Sequence, residues 1–186
     1  MDIAAAATRL SRLRFDLLGL RGHFLRNDGI RLPLASESFD LVCSMGVLHH
    51  VEDAKPLVAE LHRVLRAGGK LVVMVYHRGS FRYNVTYRWR RYFGGRVYRG
   101  RSRDEQARLN DGAENPYGRV YSREELRELL GAFERHEFRV NKLAPQELAL
   151  WNPVLMRVVT RVVPRRAVDA LARRYGWNLY CVARKR

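Results

Sequence analysis

Two adjacent histidines, His49 and His50, carry the strongest chemical signal in this chain of 186 residues. Imidazole is the side chain whose ordinary pKa lies nearest neutrality, so a histidine standing beside a bound molecule can take a proton from it. Tyr76 and His77, at the end of a second apolar run, are weaker candidates for the same duty. The other reading of the pair is that the rings shape their loop and fill hydrogen bonds. His49, His50 and Asp53 are also nitrogen and oxygen ligands close together. Adjacent histidines project differently, however, and no fourth ligand stands at recognisable spacing, so no metal site is expected. Nucleophile constellations, phosphate loops and zinc patterns are absent from the sequence.

A strand-helix-strand unit, Phe39 to His77, positions these groups. Phe39 to Met45 is short and mostly apolar, and Lys70 to Tyr76 is a valine-rich run; both suit strands covered on both faces of a parallel sheet. Between them Asp53 is placed to cap a helix. Its Leu57, Val58, Leu61, Val64 and Leu65 repeat at helical spacing, and Gly68-Gly69 is the expected stop. In open α/β sheets ligands sit beyond the carboxyl ends of the strands, which here are Ser44-Met45-Gly46 running into His49-His50, and His77-Arg78.

The stretch LPLASESFDLVCSMGVLHHVED, Leu32 to Asp53, followed by RVLRAGGKLVVMV, Arg63 to Val75, resembles the middle of class I S-adenosylmethionine-dependent methyltransferases, in the branch acting on small molecules. Weaker likeness extends over Asp2 to Asp28 and from ENPYGRVYSREELRELLGAF, Glu114 to Phe133, to the end. The resemblance implies an α/β, Rossmann-like sheet with helices on both faces and an antiparallel last strand at the edge. It implies S-adenosyl-L-methionine as cofactor and a small-molecule methyl acceptor. Asp2 falls where the family binds the ribose hydroxyls; Asp28 matches the residue that meets the adenine amino group, with Gly29 and Ile30 lining the ring. Ser44, Met45 and Gly46 follow the fourth strand beside the cofactor, and His49 and His50 stand where an acceptor would be. The family's first strand, its GxGxG turn and the next helix have no counterpart, so the chain is expected to be an amino-terminally truncated domain. In that case its own activity and its solubility are both expected to be poor. The alternative is a degenerate, catalytically dead fold serving as a partner subunit.

Residues 78–112 form a long connection in which aromatics and arginines interleave. In the family this segment closes over the acceptor pocket, which makes Arg78, Tyr83 and Tyr87, with His77, the substrate-contacting candidates. Arginines with aromatics could also stack bases and pair phosphates, as in an RNA- or nucleotide-directed module, or the rings could simply pack. Ser122 with Glu125 makes a capping box for a helix carrying Leu126, Leu129, Leu130 and Phe133. Residues 144–175 read as a helical insertion punctuated by Pro145, Pro153 and Pro164. Within it, Val154 to Val163 holds Arg157 and Arg161 on one face and valines elsewhere, the pattern of a packed helix or of one lying at a lipid interface.

A 47% apolar content suits one globular domain. The net charge is +16, and only four of the 35 basic residues are lysines. An arginine-biased solvated surface explains this, as does an anionic partner. Two cysteines without CxxC spacing fit a reduced, cytoplasmic protein. No apolar run reaches the roughly 18 residues of a membrane span.

Overall fold

The strand-helix-strand unit forms as its pattern dictates in the computed structural model, which describes residues 1–112, 115–150 and 152–186. Strand β1 (Phe39–Met45) lies parallel to β2 (Leu65–His77), with Leu41 opposite Lys70 and Met45 opposite Met74. Between them α2 (Ala54–Val64) begins where the Asp53 carboxylate accepts the Lys55 N–H at 3.0 Å. It buries Ala54 and, from the apolar face read in the sequence, Leu57, Val58, Leu61 and Val64, whereas Leu65, read as the end of that face, is the first residue of β2. The helix ends before the expected glycine pair. Gly68 and Gly69 instead lie inside β2, where Gly68 N–H donates to the Lys185 carbonyl and the Gly69 carbonyl accepts the Lys185 N–H.

Strands β3 (Val120–Tyr121), β4 (Glu134–Asn141) and β5 (Asn178–Arg184) complete a sheet of order β1-β2-β5-β4, with β3 paired to the end of β2. β5 runs antiparallel to both β2 and β4. It is the last strand but not the edge strand expected: Leu179, Cys181 and Ala183 are fully buried because β4 covers its far side. The opposite correction applies to β1, expected to be covered on both faces. Of its residues only Ser44 is buried, and Phe39, Leu41 and Met45 are exposed, since β2 is its single neighbour among the described residues.

Helix α1 (Ala5–Leu17) buries none of its residues, and Gly19, with φ of 65°, lies just beyond its end. After it, a single parallel bridge joins Asp2 and Arg26. Arg63 on α2 pins the loop that follows, donating to the carbonyls of Leu32 and Leu34 and to Glu60.

The connection after β2 is a wide π-type turn, Arg82–Thr86, then α3 (Tyr87–Phe93) and α4 (Arg103–Arg108). Tyr76, Tyr83, Tyr87, Ala107, Val120 and Trp177 form a second apolar cluster beneath it. The capping box at Ser122 and Glu125 starts α5 (Arg123–Leu129). The insertion is helical as read: α6 (Pro145–Leu148), α7 (Pro153–Val162) and α8 (Arg165–Tyr175). Glu114, the first residue of the ENPYG stretch, lies outside the described residues. Among those described, no helix is long and apolar enough to cross a membrane.

Candidate active site

A cleft of about 500 Å³ opens beside the carboxyl end of β1. Its lining joins the amino terminus to the strand-helix-strand unit: Asp2, Asp28, Gly29, Ser44, Gly46 and His50 all face it. Leu32, Val42, Leu57 and Leu61 supply an apolar floor. Such a size and mixture, mostly apolar with a few convergent polar groups, is that of a small-ligand pocket.

Local turns fix the polar groups. Asp2 Oδ1 accepts the Ala4 N–H at 2.8 Å, and Asp28 Oδ1 accepts the Ile30 N–H at 3.0 Å. Each bond uses one carboxylate oxygen and orients the other. Gly29 sits at φ of 84°, and a Cβ there would stand 3.0 Å from Leu57 Cδ1, so both conformation and space favour glycine. Gly46, at φ of 77°, turns the chain out of β1 while its N–H bonds the Met74 carbonyl.

The twin histidines part company. His49 is 1% exposed, its ring 3.9 Å from that of Tyr76, and its Nδ1 has no hydrogen-bond partner. Burial, aided by the neighbouring His50, holds its pKa down to about 3. It is a neutral ring in the floor of the loop, unsuited to accept a proton. His50 faces the cleft. Its Nδ1 lies 2.9 Å from the Tyr117 carbonyl and 2.8 Å from the Asn115 side-chain nitrogen, and its Nε2 lies 3.4 Å from Asp111 Oδ2. The Tyr117 carbonyl suits a proton on Nδ1, whereas the Asn115 amide nitrogen and the Asp111 carboxylate suit one on Nε2; an imidazolium, carrying both protons, would meet the Tyr117 carbonyl and the Asp111 carboxylate. The Tyr76 hydroxyl donates to that carboxylate, and burial followed by this bond raises the tyrosine pKa above its ordinary value.

His49, His50 and Asp111 each offer an atom within 4.8 Å of the others. The donor set is of the kind that divalent cations accept. In this arrangement Asp111 is engaged by Tyr76, and His50 by Tyr117 and Asp111. Sequence spacing did not bring Asp111 to notice, because it reaches His50 only through the folding back of the long connection.

Other expected site residues stand elsewhere. Ile30 and Met45 are exposed and are not among the residues lining this cleft. His77 is buried, its Nδ1 against the Gly176 carbonyl at 3.1 Å, and burial lowers its pKa. Tyr83 and Tyr87 are buried in the second apolar cluster, Tyr83 donating to Asp104 at 2.6 Å. Arg78 donates to both oxygens of Glu125 and lines a separate groove with Val51, Tyr117 and Arg119. These four support the connection after β2 from beneath, because its aromatics pack inward; only Tyr92 and Phe93 of that series are strongly exposed.

Comparison with known proteins agrees with the geometry. Residues 1–73 match the family model described as a methyltransferase domain. A phthiotriol/phenolphthiotriol dimycocerosates methyltransferase from Mycobacterium leprae is 38% identical over 71 residues, 38% of this chain and 26% of that protein. A demethylmenaquinone methyltransferase from Thermus thermophilus is 33% identical over 73 residues, 39% of this chain and 33% of that protein. The matches thus span about a quarter to a third of these curated relatives. Among solved structures, a SAM-dependent methyltransferase from Methanosarcina mazei superposes with a TM-score of 0.63 at 19% identity, covering 99% of this chain and 79% of the other. One from Thermotoga maritima gives 0.62 at 18% identity, covering 99% and 71%. The fold is therefore that of the Rossmann-like, class I S-adenosylmethionine-dependent methyltransferases, and the match to the methyltransferase domain model is confined to the first 73 residues.

S-adenosyl-L-methionine is the cofactor of this family, and the cleft fits its nucleoside end. Two oriented carboxylates match hydroxyl and amino donors, and the glycine at position 29 lets a flat ring approach over an apolar floor. Among the described residues, no glycine-rich turn lines this cleft for the amino-acid end.

Proposed function

We propose that the chain forms the acceptor-side wall, and the nucleoside floor, of a methyltransferase acting on a small apolar molecule that must lose a proton. The observation carrying this is that one cleft gathers Asp2, Asp28, Gly29, Ser44, Gly46 and His50, residues drawn from three separate segments. In this reading Asp2 holds the ribose hydroxyls, Asp28 the adenine amino group, and Gly29 and Ser44 the space between. When bound, the cofactor supplies an electrophilic methyl group.

His50 takes the acceptor's proton, and the imidazolium so formed is stabilised by Asp111 and by the Tyr117 carbonyl. His49 supports the loop and keeps Tyr76 in place. Methyl displacement needs little covalent help, so placement supplies most of the rate and His50 adds its share only where a proton must leave. An apolar acceptor accords with the two named relatives, a phthiotriol/phenolphthiotriol dimycocerosates methyltransferase and a demethylmenaquinone methyltransferase.

The test is transfer of labelled methyl from S-adenosylmethionine to a panel of quinols and long-chain diols. Transfer that falls by about 10² or more in His50→Ala, with cofactor affinity unchanged, supports the assignment. Equal turnover in wild type and variant removes His50 from the chemistry.

A further inference from the structure

Helix α7 is preformed but unpartnered on one side. Pro153 occupies its first turn, and the Asn152 side chain accepts the N–H groups of Val154 and Leu155, so the helix end is closed without outside help. None of its residues is buried. Met156, Val159 and Val163 are half-buried and face the protein. Val154, Leu155, Val158 and Val162 point the other way, 69%, 45%, 51% and 71% exposed. At 100° per residue these four make one continuous strip, and Arg157 and Arg161 run along its polar border.

The charge around the strip is strongly one-sided. From Pro153 to Tyr175 there are six arginines, at 157, 161, 165, 166, 173 and 174, against the single acid Asp169. A second copy of the chain docked through this face would bring arginine against arginine. A nucleic acid would pair the arginines and leave the valines in water. An anionic lipid surface satisfies both halves, receiving the apolar strip below the headgroups and the guanidinium groups among the phosphates.

We infer that α7 docks on an anionic phospholipid surface, with Val154, Leu155, Val158 and Val162 entering the headgroup boundary and Arg157 and Arg161 pairing with lipid phosphates. The helix is tied to the acceptor side of the molecule through α6, where Glu147 is fully buried and bonded to Arg82. Docking would therefore hold the long connection after β2 close to the lipid. This surface stands on its own observations and does not depend on the methyl-transfer reading.

Flotation of the 186-residue chain with phosphatidylcholine vesicles, with and without phosphatidylglycerol, tests it. The expected result is binding to the anionic vesicles only. Val158→Asp with Val162→Asp should weaken it about tenfold or more, and Arg157→Glu with Arg161→Glu by a comparable factor. The four positions are exposed, so an unchanged thermal melt is expected for both variants. Failure to bind anionic vesicles overturns the inference. So does binding that survives Val158→Asp with Val162→Asp, which would mean attraction of a basic chain without insertion. A loss of self-association in place of a loss of lipid binding would assign the strip to contact between copies.

Discussion

Burial distinguishes two neighbours that the sequence leaves equivalent. His49 and His50 are adjacent in sequence, yet one is a neutral ring sealed under Tyr76 and the other faces a cleft. The folded pKa of His49, about 3, lies below its ordinary 6.5. Above 6.5 the residue is neutral in both states and pH does not matter. As pH falls below that value the unfolded chain takes up a proton that the folded chain refuses, so stability drops until pH nears 3. From about pH 7 to pH 5 this one residue should cost roughly 2 kcal/mol of unfolding free energy. Urea titrations across that range should show a shallower slope in His49→Gln; burial acts in the same direction on His77 and His62, so the slope will shrink without vanishing. An identical slope in the variant would mean that His49 is not sealed off. Asp111→Asn belongs to the same scale: it should lower turnover, but by less than His50→Ala, because the imidazolium loses its carboxylate while the ring stays in place. None of the partners of His50 was readable in advance, since Asp111, Asn115 and Tyr117 lie more than sixty positions away in sequence and only tertiary folding brings them back.

Among the elements, the most demanding junction is the one between the connection after β2 and the insertion. Arg82 donates to Glu147, which is completely buried, and lies over the Trp177 ring at 5.0 Å. Removing one partner leaves a charge without compensation in an apolar setting, so Arg82→Ala should destabilise the chain by about 3–5 kcal/mol. Replacing both, as Arg82→Met with Glu147→Met, should recover most of that loss in chemical denaturation; no recovery would mean that the packing, not the charge, is what matters. Local signals were good guides at this scale. The Asp53 cap, the Ser122 and Glu125 box and the apolar stripe of α2 appear where their spacing put them. The errors came where pairing overrode local preference. Gly68-Gly69 reads as a helix stop but is drawn into β2 by its exchange of hydrogen bonds with Lys185, and β5 reads as an edge but is enclosed by β4. The interleaved arginines and aromatics were open to three readings, a lid, a base-stacking surface or plain packing, and Tyr83 and Tyr87 are core.

At the scale of the whole molecule, the sheet ends on β1 at one edge and on β4 at the other. β1 presents Phe39 and Leu41 to solvent and has β2 as its single described neighbour. Such an edge invites pairing with another chain. Sedimentation of the 186-residue chain should show concentration-dependent association that Phe39→Lys diminishes; monodisperse behaviour in both would remove the edge from consideration. The parallel strand-helix-strand unit, and with it the fold class, was legible because its apolar runs and its helix cap agree. The edge position of β1 was not, since an apolar run reads the same whether one neighbour covers it or two. The net charge of +16 is a property of this scale too, and the cationic insertion around α7 is where it meets an exposed apolar strip.

The central claim is that the cleft between the amino terminus and β1 receives a nucleoside. The most direct measurement is calorimetric titration of the chain with 5′-methylthioadenosine, which carries the adenosine and thioether but not the amino-acid end of the cofactor. Saturable binding that Asp28→Ala weakens by about tenfold, and that Met45→Ala on the exposed face leaves alone, is the predicted result. Heat that does not saturate, or binding unaffected by Asp28→Ala, would contradict it.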